Sequence, residues 1–497
     1  MLTADEIKRI IENDNKSRRK EKMREGLRYY EGEHDILKRR LFYFNTDGNL
    51  VEDKMRANIK ISHPFFTELV DQAAQYILSD SNGIFHSDQP ELQAIIDEYF
   101  NDNESFETEL LECVTGSMAK GYDFMFAYMA ADGKTAFQYA DSIGVVEVEA
   151  KNASDKQPHI IYHYLDREDN DGNRIRKIQD WTKDYVGYWQ EAENGGIEPD
   201  TEKGNKPTPH IVEVDDDGNR FDGGSYGMIP FFRLDNNKKQ FSALKPIKGL
   251  IDDYDLMASS LSNNLADFDT PIYVVRGFSG DNLDELQHNL KTKKTVGVDS
   301  EGGIDVQTVD VPFEARKTKL ELDEKNIYRF GMGLNIAGLK DTTATTNMAI
   351  KAAYALLDLK CSKFITRLKQ MLRKMLQVVL DEVNSRDGTD YRSSQVYFTF
   401  QPEVMSNASE NAQNKLTEAQ EQQVRINTLL MLAAYLDNET LMQNICDVLD
   451  IDYEEIKDKL PDPDEAKNQL GGAKNILEGD EPIEPPEPDD PMGGIDE

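Results

Sequence analysis

Apolar residues recur along this chain with two different periods, and the switch between them divides it. "SHPFFTELVDQAAQYILSD", residues 62–80, repeats apolar side chains at Phe65, Leu69, Ala73 and Tyr76 or Ile77, the three- and four-residue spacing of one helix face. With Ser62 as cap and Pro64 in the first turn it predicts a core helix. Residues 3–31 read as a surface helix, with Ile7, Ile10, Ile11, Leu27 and Tyr30 set in a highly charged segment. Further helical patterns cover about 89–101 and 105–120. From there to about 235 the period falls to two, as in "HIIYHYLD" and "NRIRKIQDWTKDYVGYWQ". Asp-Gly at 132–133, 171–172 and 217–218 marks hairpins between the alternating segments. Helices first and antiparallel strands after predict an α+β domain over 1–240.

The helical period then returns. Pro246 suits a first turn, and Ile247, Leu250, Ile251, Tyr254, Met257, Leu261 and Leu265 form one stripe to about Phe268. Residues 269–313 predict a small α/β insertion: strand "PIYVVRG", helix "NLDELQHNLK", strand "KTVGV", a turn at Gly302-Gly303 and strand "IDVQTVDV". Helix resumes over 314–333 with Leu320, Ile327, Tyr328 and Phe330 as a weaker stripe. "LNIAGLKDTTATTN", 334–347, interrupts it, and 348–386 follows as the longest helix, with Ile350, Tyr354, Leu357, Cys361, Phe364, Leu368, Met371 or Leu372, Met375, Val379 and Val383 as its apolar stripe, free of Gly and Pro and roughly 55–60 Å long. A strand in "QVYFTFQPEV" and polar helices over about 408–460 lead to an acidic, Pro-rich end, expected to be disordered.

Length changes this picture little: 497 residues, 38% apolar and 9% aromatic, accommodate two to four domains. Charge changes it more. With 93 acidic against 57 basic side chains, the formal charge of −36 excludes a generally basic nucleic-acid coat. Cys113, Cys361 and Cys446 are too few and too scattered for a disulfide framework and point to a reducing compartment. The charged N-terminus lacks a signal-peptide core, and no apolar run approaches the roughly 20 residues of a membrane span.

Catalytic signatures do not surface. The chain contains no GxxxxGK[ST], GxGxxG after a strand or HExxH. The acidic loops around Gly172 and Gly218 place Ile178 and Gly224 where a calcium loop needs its bidentate acid. His159 and His163 are four apart, but on an alternating strand rather than a metal-binding helix. These features predict a protein that is not an enzyme and uses no cofactor or metal.

One stretch departs from the acidic whole. Between 347 and 380 lie Lys351, Lys360, Lys363, Arg367, Lys369, Arg373 and Lys374 against the single acid Asp358. This face is either solvated and paired with acids elsewhere in the chain, or turned to polyanion or an acidic neighbouring copy.

The order of parts, together with "LRYYEGEHDI" at 27–36, "ANIKISHPFFTELVDQAAQYILS" at 57–79, "YGMIPFFRLDNN" at 226–237 and "LIDDYDLMASSLSNNLADFDTPIYVVRG" at 250–277, resembles the portal proteins of tailed double-stranded DNA bacteriophages, siphovirus type. The resemblance implies a homo-oligomeric ring of about twelve copies at one capsid vertex of the virion, assembled in the host cytoplasm. It implies a channel for DNA packaging and ejection, with no membrane partner. Residues 1–240 would be the wing, 241–268 and 314–333 stem helices, 269–313 the clip, and 334–347 a tunnel loop. The segment 348–405 would be a long helix and a strand returning to the wing, 406–465 a helical crown, and 466–497 a disordered tail.

Implied partners are the terminase large subunit, the major capsid and scaffolding proteins and a head-completion or connector protein. The clip's docking surface would carry Asp281, Asp284, Glu285, His288, Lys291 and Lys293. The loop would face DNA through Asn335, Lys340, Asp341, Thr342, Thr343, Thr345, Thr346 and Asn347, short polar groups indifferent to base sequence. Gly331, Gly333 and Gly338 would loosen the end of the stem helix. Lys351, Lys360, Lys363, Arg367, Arg373 and Lys374 would face polyanion or the next subunit. The alternative is a non-enzymatic helical adaptor or scaffold whose long helix packs on its own chain.

Overall fold

The computed structural model describes residues 1–54, 56–79, 83–168, 174–192, 194–200, 202–204, 206–214, 220–268, 272–278, 286, 298–307, 313–335, 347–400, 408–432 and 438–449. The chain divides into two units, 1–405 and 406–497.

The opening segment is two helices, α1 (Ala4–Asn15) and α2 (Arg18–Tyr30), rather than one. Thr3 and Glu6 form a capping box on α1, and the Ser17 hydroxyl accepts the Lys20 N–H to start α2, because Asn and Ser side chains compete for backbone groups between them. Nor do they lie on the surface. Ile7, Met23 and Lys20 are buried, and the Lys20 ammonium donates to the carbonyls of Ile143 at 3.0 Å and Val145 at 2.8 Å and pairs with Asp14.

A hairpin of β1 (Phe42–Phe44) and β2 (Leu50–Glu52) precedes α3 (Phe65–Leu78). Pro64 occupies the α3 cap position without a side-chain cap, and Ser62 does not serve as one. The reason is tertiary: the Ile59, Ile61 and His63 N–H groups are held by another helix, so this strand-like stretch cannot turn helical before Pro64. Then come β3 (Phe85–Ser87), α4 (Pro90–Ile96), a π-helical turn (Asp97–Asn101) and α5 (Glu104–Lys120). Gly121 ends α5 at φ 107°, where a Cβ would stand 2.4 Å from the Gln240 carbonyl oxygen.

The strands form antiparallel sheets. β4 (Tyr122–Met129), β5 (Thr135–Ala140) and β14 (Phe231–Asp235) order as β14-β4-β5, with Gly133 at φ 79° in the predicted Asp-Gly turn. β6 (Val145–Val148), β7 (His159–Glu168), β8 (Arg174–Trp181), β9 (Tyr185–Glu191) and β10 (Ile197–Pro199) form the main run of a second sheet, with β11 (Thr208–Pro209) on β9. β12 (Val212–Val214) pairs with β13 (Arg220–Asp222). The other two Asp-Gly dipeptides lie outside the described residues, but the strands flanking them pair antiparallel.

Residues 241–247 form turns, and α6 begins only at Lys248, running to Phe268. In the insertion, β15 (Ile272–Phe278) pairs with β16 (Val298–Gln307). Gly302 and Gly303 lie inside β16 and not in a turn. A Cβ on Gly302 would meet the Arg276 carbonyl oxygen at 2.6 Å, so glycine here permits close strand approach beside the bulge at Gly277.

Helix α7 (Phe313–Gly331) and the 41-residue α8 (Asn347–Asp387) complete the frame, with β17 (Val396–Phe398) pairing to β3. The predicted apolar stripe of α8 is buried from Leu357 to Val383, in one core with α3, α5, Ile251 of α6, and Ile327 and Tyr328 of α7. The second unit holds α9 (Ala408–Met431) and α10 (Asn438–Leu449), with Leu441 and Cys446 buried. The acidic tail lies outside the described residues.

Candidate functional site

The Thr/Gly-rich interruption between α7 and α8 is the feature sequence reasoning singled out. Residues 336–346 lie outside the described residues, and its root, 331–335, is described in full. This root is fastened rather than loose. Met332 takes a left-handed conformation at φ 55°, which turns the chain off the end of α7, and the Gly333 N–H donates back to the Tyr328 carbonyl at 3.0 Å. The two glycines allow contact: a Cβ on Gly331 would lie 2.6 Å from Leu69 Cδ1, and one on Gly333 would lie 2.0 Å from Leu69 Cδ2. Their role is therefore to seat the chain on α3, the opposite of the loosening expected from sequence.

Three polar contacts fix the same place. Gln72 Oε1 accepts the Leu334 N–H and Gln72 Nε2 donates to the Leu334 carbonyl, both at 3.0 Å. The Tyr328 hydroxyl donates to Glu68 Oε2 at 2.7 Å. From α8, the Lys360 ammonium donates to the carbonyls of Leu69 at 3.3 Å and Gly331 at 3.2 Å. Burial pulls that ammonium down to about 8. Asn335 Nδ2 donates to Glu324 Oε1 at 3.3 Å, so the last described loop residue is tied to α7.

The paired helices below the root are braced likewise. Lys319 of α7 bridges Asp253 of α6 at 2.6 Å and Asp323 of its own helix, and Arg316 donates to the Ser260 carbonyl at 3.4 Å. On the other side of α6, Asp255, Ser259 and Asn263 hold the N–H groups of His63, Ile61 and Ile59.

The sequence of this chain has relatives among known proteins. The family profile described as "Phage portal protein, SPP1 Gp6-like" matches residues 9–462. The chain belongs to this phage portal family. The portal protein of Bacillus phage SPP1 is 25% identical over 410 residues, 82% of this chain and 78% of that protein. The portal protein of Clostridium phage phiCD119 is 26% identical over 430 residues, 83% of this chain and 88% of that one. A solved chain described as the neck of a native GTA particle computed with C12 symmetry aligns over 76% of this chain and 88% of its own, at 12% identity and a TM-score of 0.38.

The basic residues of this portal chain's α8 part company. Lys360 turns its head inward to the two carbonyls and does not share the outward face. Lys351, Lys363, Arg373 and Lys374 are exposed and Arg367 is half-buried. Arg367 donates to the Lys363 carbonyl, and Arg373 lies over the Phe398 ring at 5.5 Å, as Lys369 does over Phe400 at 5.4 Å. Among the described residues none of these outward cations forms an ion pair, so the reading in which they neutralise acids of their own chain finds no support there.

Asn347 is the first residue of α8. Lys340, Asp341, Thr342, Thr343, Thr345 and Thr346 lie outside the described residues, as do Asp281, Asp284, Glu285, His288, Lys291 and Lys293. Sequence reading missed Leu69 and Gln72, whose signal was the Gly-x-Gly spacing at 331–333: two residues without Cβ at the end of a helix mark a close approach. His159, set aside as a strand residue, is buried between Asp180 at 2.6 Å and Asp155 at 3.0 Å. Among the described residues no cluster of potential metal ligands occurs and no helix is long and apolar enough to cross a membrane.

Proposed function

We propose that this portal-family chain assembles as a ring of about twelve copies around a DNA channel at one capsid vertex, and that 336–346 lines its narrowest part. The observation that carries the reading is the anchored root. A Thr-rich segment leaves α7 at a point bolted to α3 and α8, so load on it passes through its base into the core that these helices share.

In this reading α6 and α7 form the stem and 269–313 the clip that meets the terminase large subunit and later a head-completion protein. The second unit is the crown, near capsid and scaffolding proteins. The short polar groups of the loop, Thr342, Thr343, Thr345 and Thr346 with Lys340 as the one cation, brush phosphates without gripping them. A lysine-lined channel would bind far more tightly, since each neutralised phosphate adds salt-sensitive affinity. The chain performs no bond chemistry, assembles in the host cytoplasm and ends in the virion.

Negative-stain electron microscopy of the purified protein tests this. Annular particles with a central hole are expected, with a solution mass of about 700 kDa, about twelve times the 56.6 kDa chain. Solitary globules at every salt and protein concentration overturn it.

A further inference from the structure

The β1–β2 hairpin, which follows Arg39 and Arg40, carries a run of exposed apolar residues. Strand alternation and the register Phe42↔Glu52 and Phe44↔Leu50 place Phe42, Phe44 and Leu50 on one face, at 53%, 72% and 60% exposure, while Tyr43 and Val51 are exposed on the other at 49% and 38%. None of the five belongs to any hydrophobic core cluster of the chain. A two-stranded sheet alone is marginal in water, and a contiguous apolar patch of this kind marks an interaction surface. Its surroundings are basic: Lys38, Arg40, Lys54 and Arg56 are exposed, against exposed Asp47 and Glu52 and the half-buried Asp53, which pairs with Arg56 at 3.6 Å.

The described surface also offers the complement. Helix α5 exposes Glu104, Glu107, Leu111 and Glu112, with no base between 104 and 112. Leu111 there is 38% exposed, an apolar residue inside an acidic face. A base-flanked aromatic hairpin and an acid-flanked leucine are the two unlike surfaces that a head-to-tail contact between identical chains requires.

We infer that the hairpin docks on a second copy of this chain, Phe42 and Phe44 covering Leu111 while Arg40 and Arg56 meet Glu104, Glu107 and Glu112. The inference rests on the ring reading above and adds to it which surfaces meet. The hairpin acts as a clasp between neighbours, and its aromatic residues are buried only on assembly.

The test uses the full-length protein. With p-benzoylphenylalanine at position 44, irradiation of the assembled protein is expected to yield a dimer-sized adduct whose cross-linked peptide contains 104–112. Phe42→Ser with Phe44→Ser is expected to reduce assembly at least tenfold at equal concentration, with far-UV circular dichroism and thermal midpoint unchanged because no core residue is touched. Arg40→Glu with Arg56→Glu should do the same, and adding Glu104→Lys with Glu107→Lys should restore assembly. A wild type that assembles while the double serine variant assembles equally well, or a cross-link to any other peptide, overturns the clasp and leaves the ring standing. A wild type that remains monomeric overturns both.

Discussion

The side-chain amide of Gln72 grips the backbone of Leu334 at both its N–H and its carbonyl, each at 3.0 Å. A glutamine amide has one donor face and one acceptor face, and here it pairs with a peptide as another strand would. The contact spans 262 residues of sequence and stands at the last described step before 336–346. It therefore fixes the point from which that segment leaves α3.

Gln72→Ala should release that step. Losing both bonds costs about 1–3 kcal/mol locally, so amide exchange at 333–335 should quicken by about tenfold or more. Hydrogen exchange read by mass spectrometry checks this. Core amides of α3 should change little.

Gly333→Ala asks the protein to place a methyl 2.0 Å from Leu69 Cδ2. Overpacking of this kind costs about 1–3 kcal/mol. The partner names itself, so a double-mutant cycle with Leu69→Ala, read from denaturant midpoints, should return part of the loss as coupling. Gly331→Ala, at 2.6 Å from the same leucine, should behave alike and more mildly.

These two sites also mark how far sequence could be read. The α8 stripe from Leu357 to Val383 was legible because burial on one face writes a 3.6-residue period that survives any partner. The helical stripes of α6 and α7 were legible for the same reason, and the hairpin strands around Gly133 from a period of two and an Asp-Gly turn. The root of the loop was not: Gly331 and Gly333 carry the signal of a close approach but not its partner, and Leu69 and Gln72 come from a helix far away in the chain. Lys360 and Lys363 look alike in sequence, and only the helix phase against α3 and α7 turns one inward and leaves the other exposed. The Ser62 cap failed because a tertiary hydrogen bond claimed its neighbour His63 first.

The inward Lys360 makes stability depend on pH. Burial lowers its ammonium to about 8, against about 10.4 for a free lysine. Between those values the unfolded chain holds a proton that the folded chain has released, so stability rises with pH through that window. The gain is about 3 kcal/mol when complete. Lys360→Met should remove this rise, so the gap between wild type and variant should shift by about 2 kcal/mol from pH 8 to pH 10, as urea midpoints at each pH would register.

Asp255 makes the opposite case and binds the 57–63 stretch to α6. Its two oxygens take His34 Nδ1 at 2.6 Å and His63 Nδ1 at 2.9 Å, and one also accepts the His63 N–H at 2.9 Å. Four helical residues advance about 6.0 Å and two strand residues about 6.6 Å, so Asp255, Ser259 and Asn263 stay nearly in step with the N–H groups of His63, Ile61 and Ile59. Burial alone would raise the Asp255 carboxyl, but the bonds from both histidines outweigh it and hold it below the usual carboxylate range. That stability is present above the unfolded value of about 3.9 and is lost as pH falls through the folded one. Asp255→Ala should cost about 3 kcal/mol or more at pH 7, since it strips the buried His34 imidazole and the half-buried His63 imidazole of their partner, and should flatten the acid limb of stability below pH 4. Asn263→Ala, which removes only the neutral pair to Ile59, should cost about 1–2 kcal/mol and leave the acid limb intact. Trypsin cleavage after Lys60, set between the clasped amides, should accelerate in both variants and more in the first; equal rates in the two would mean that the carboxylate adds nothing to the hold.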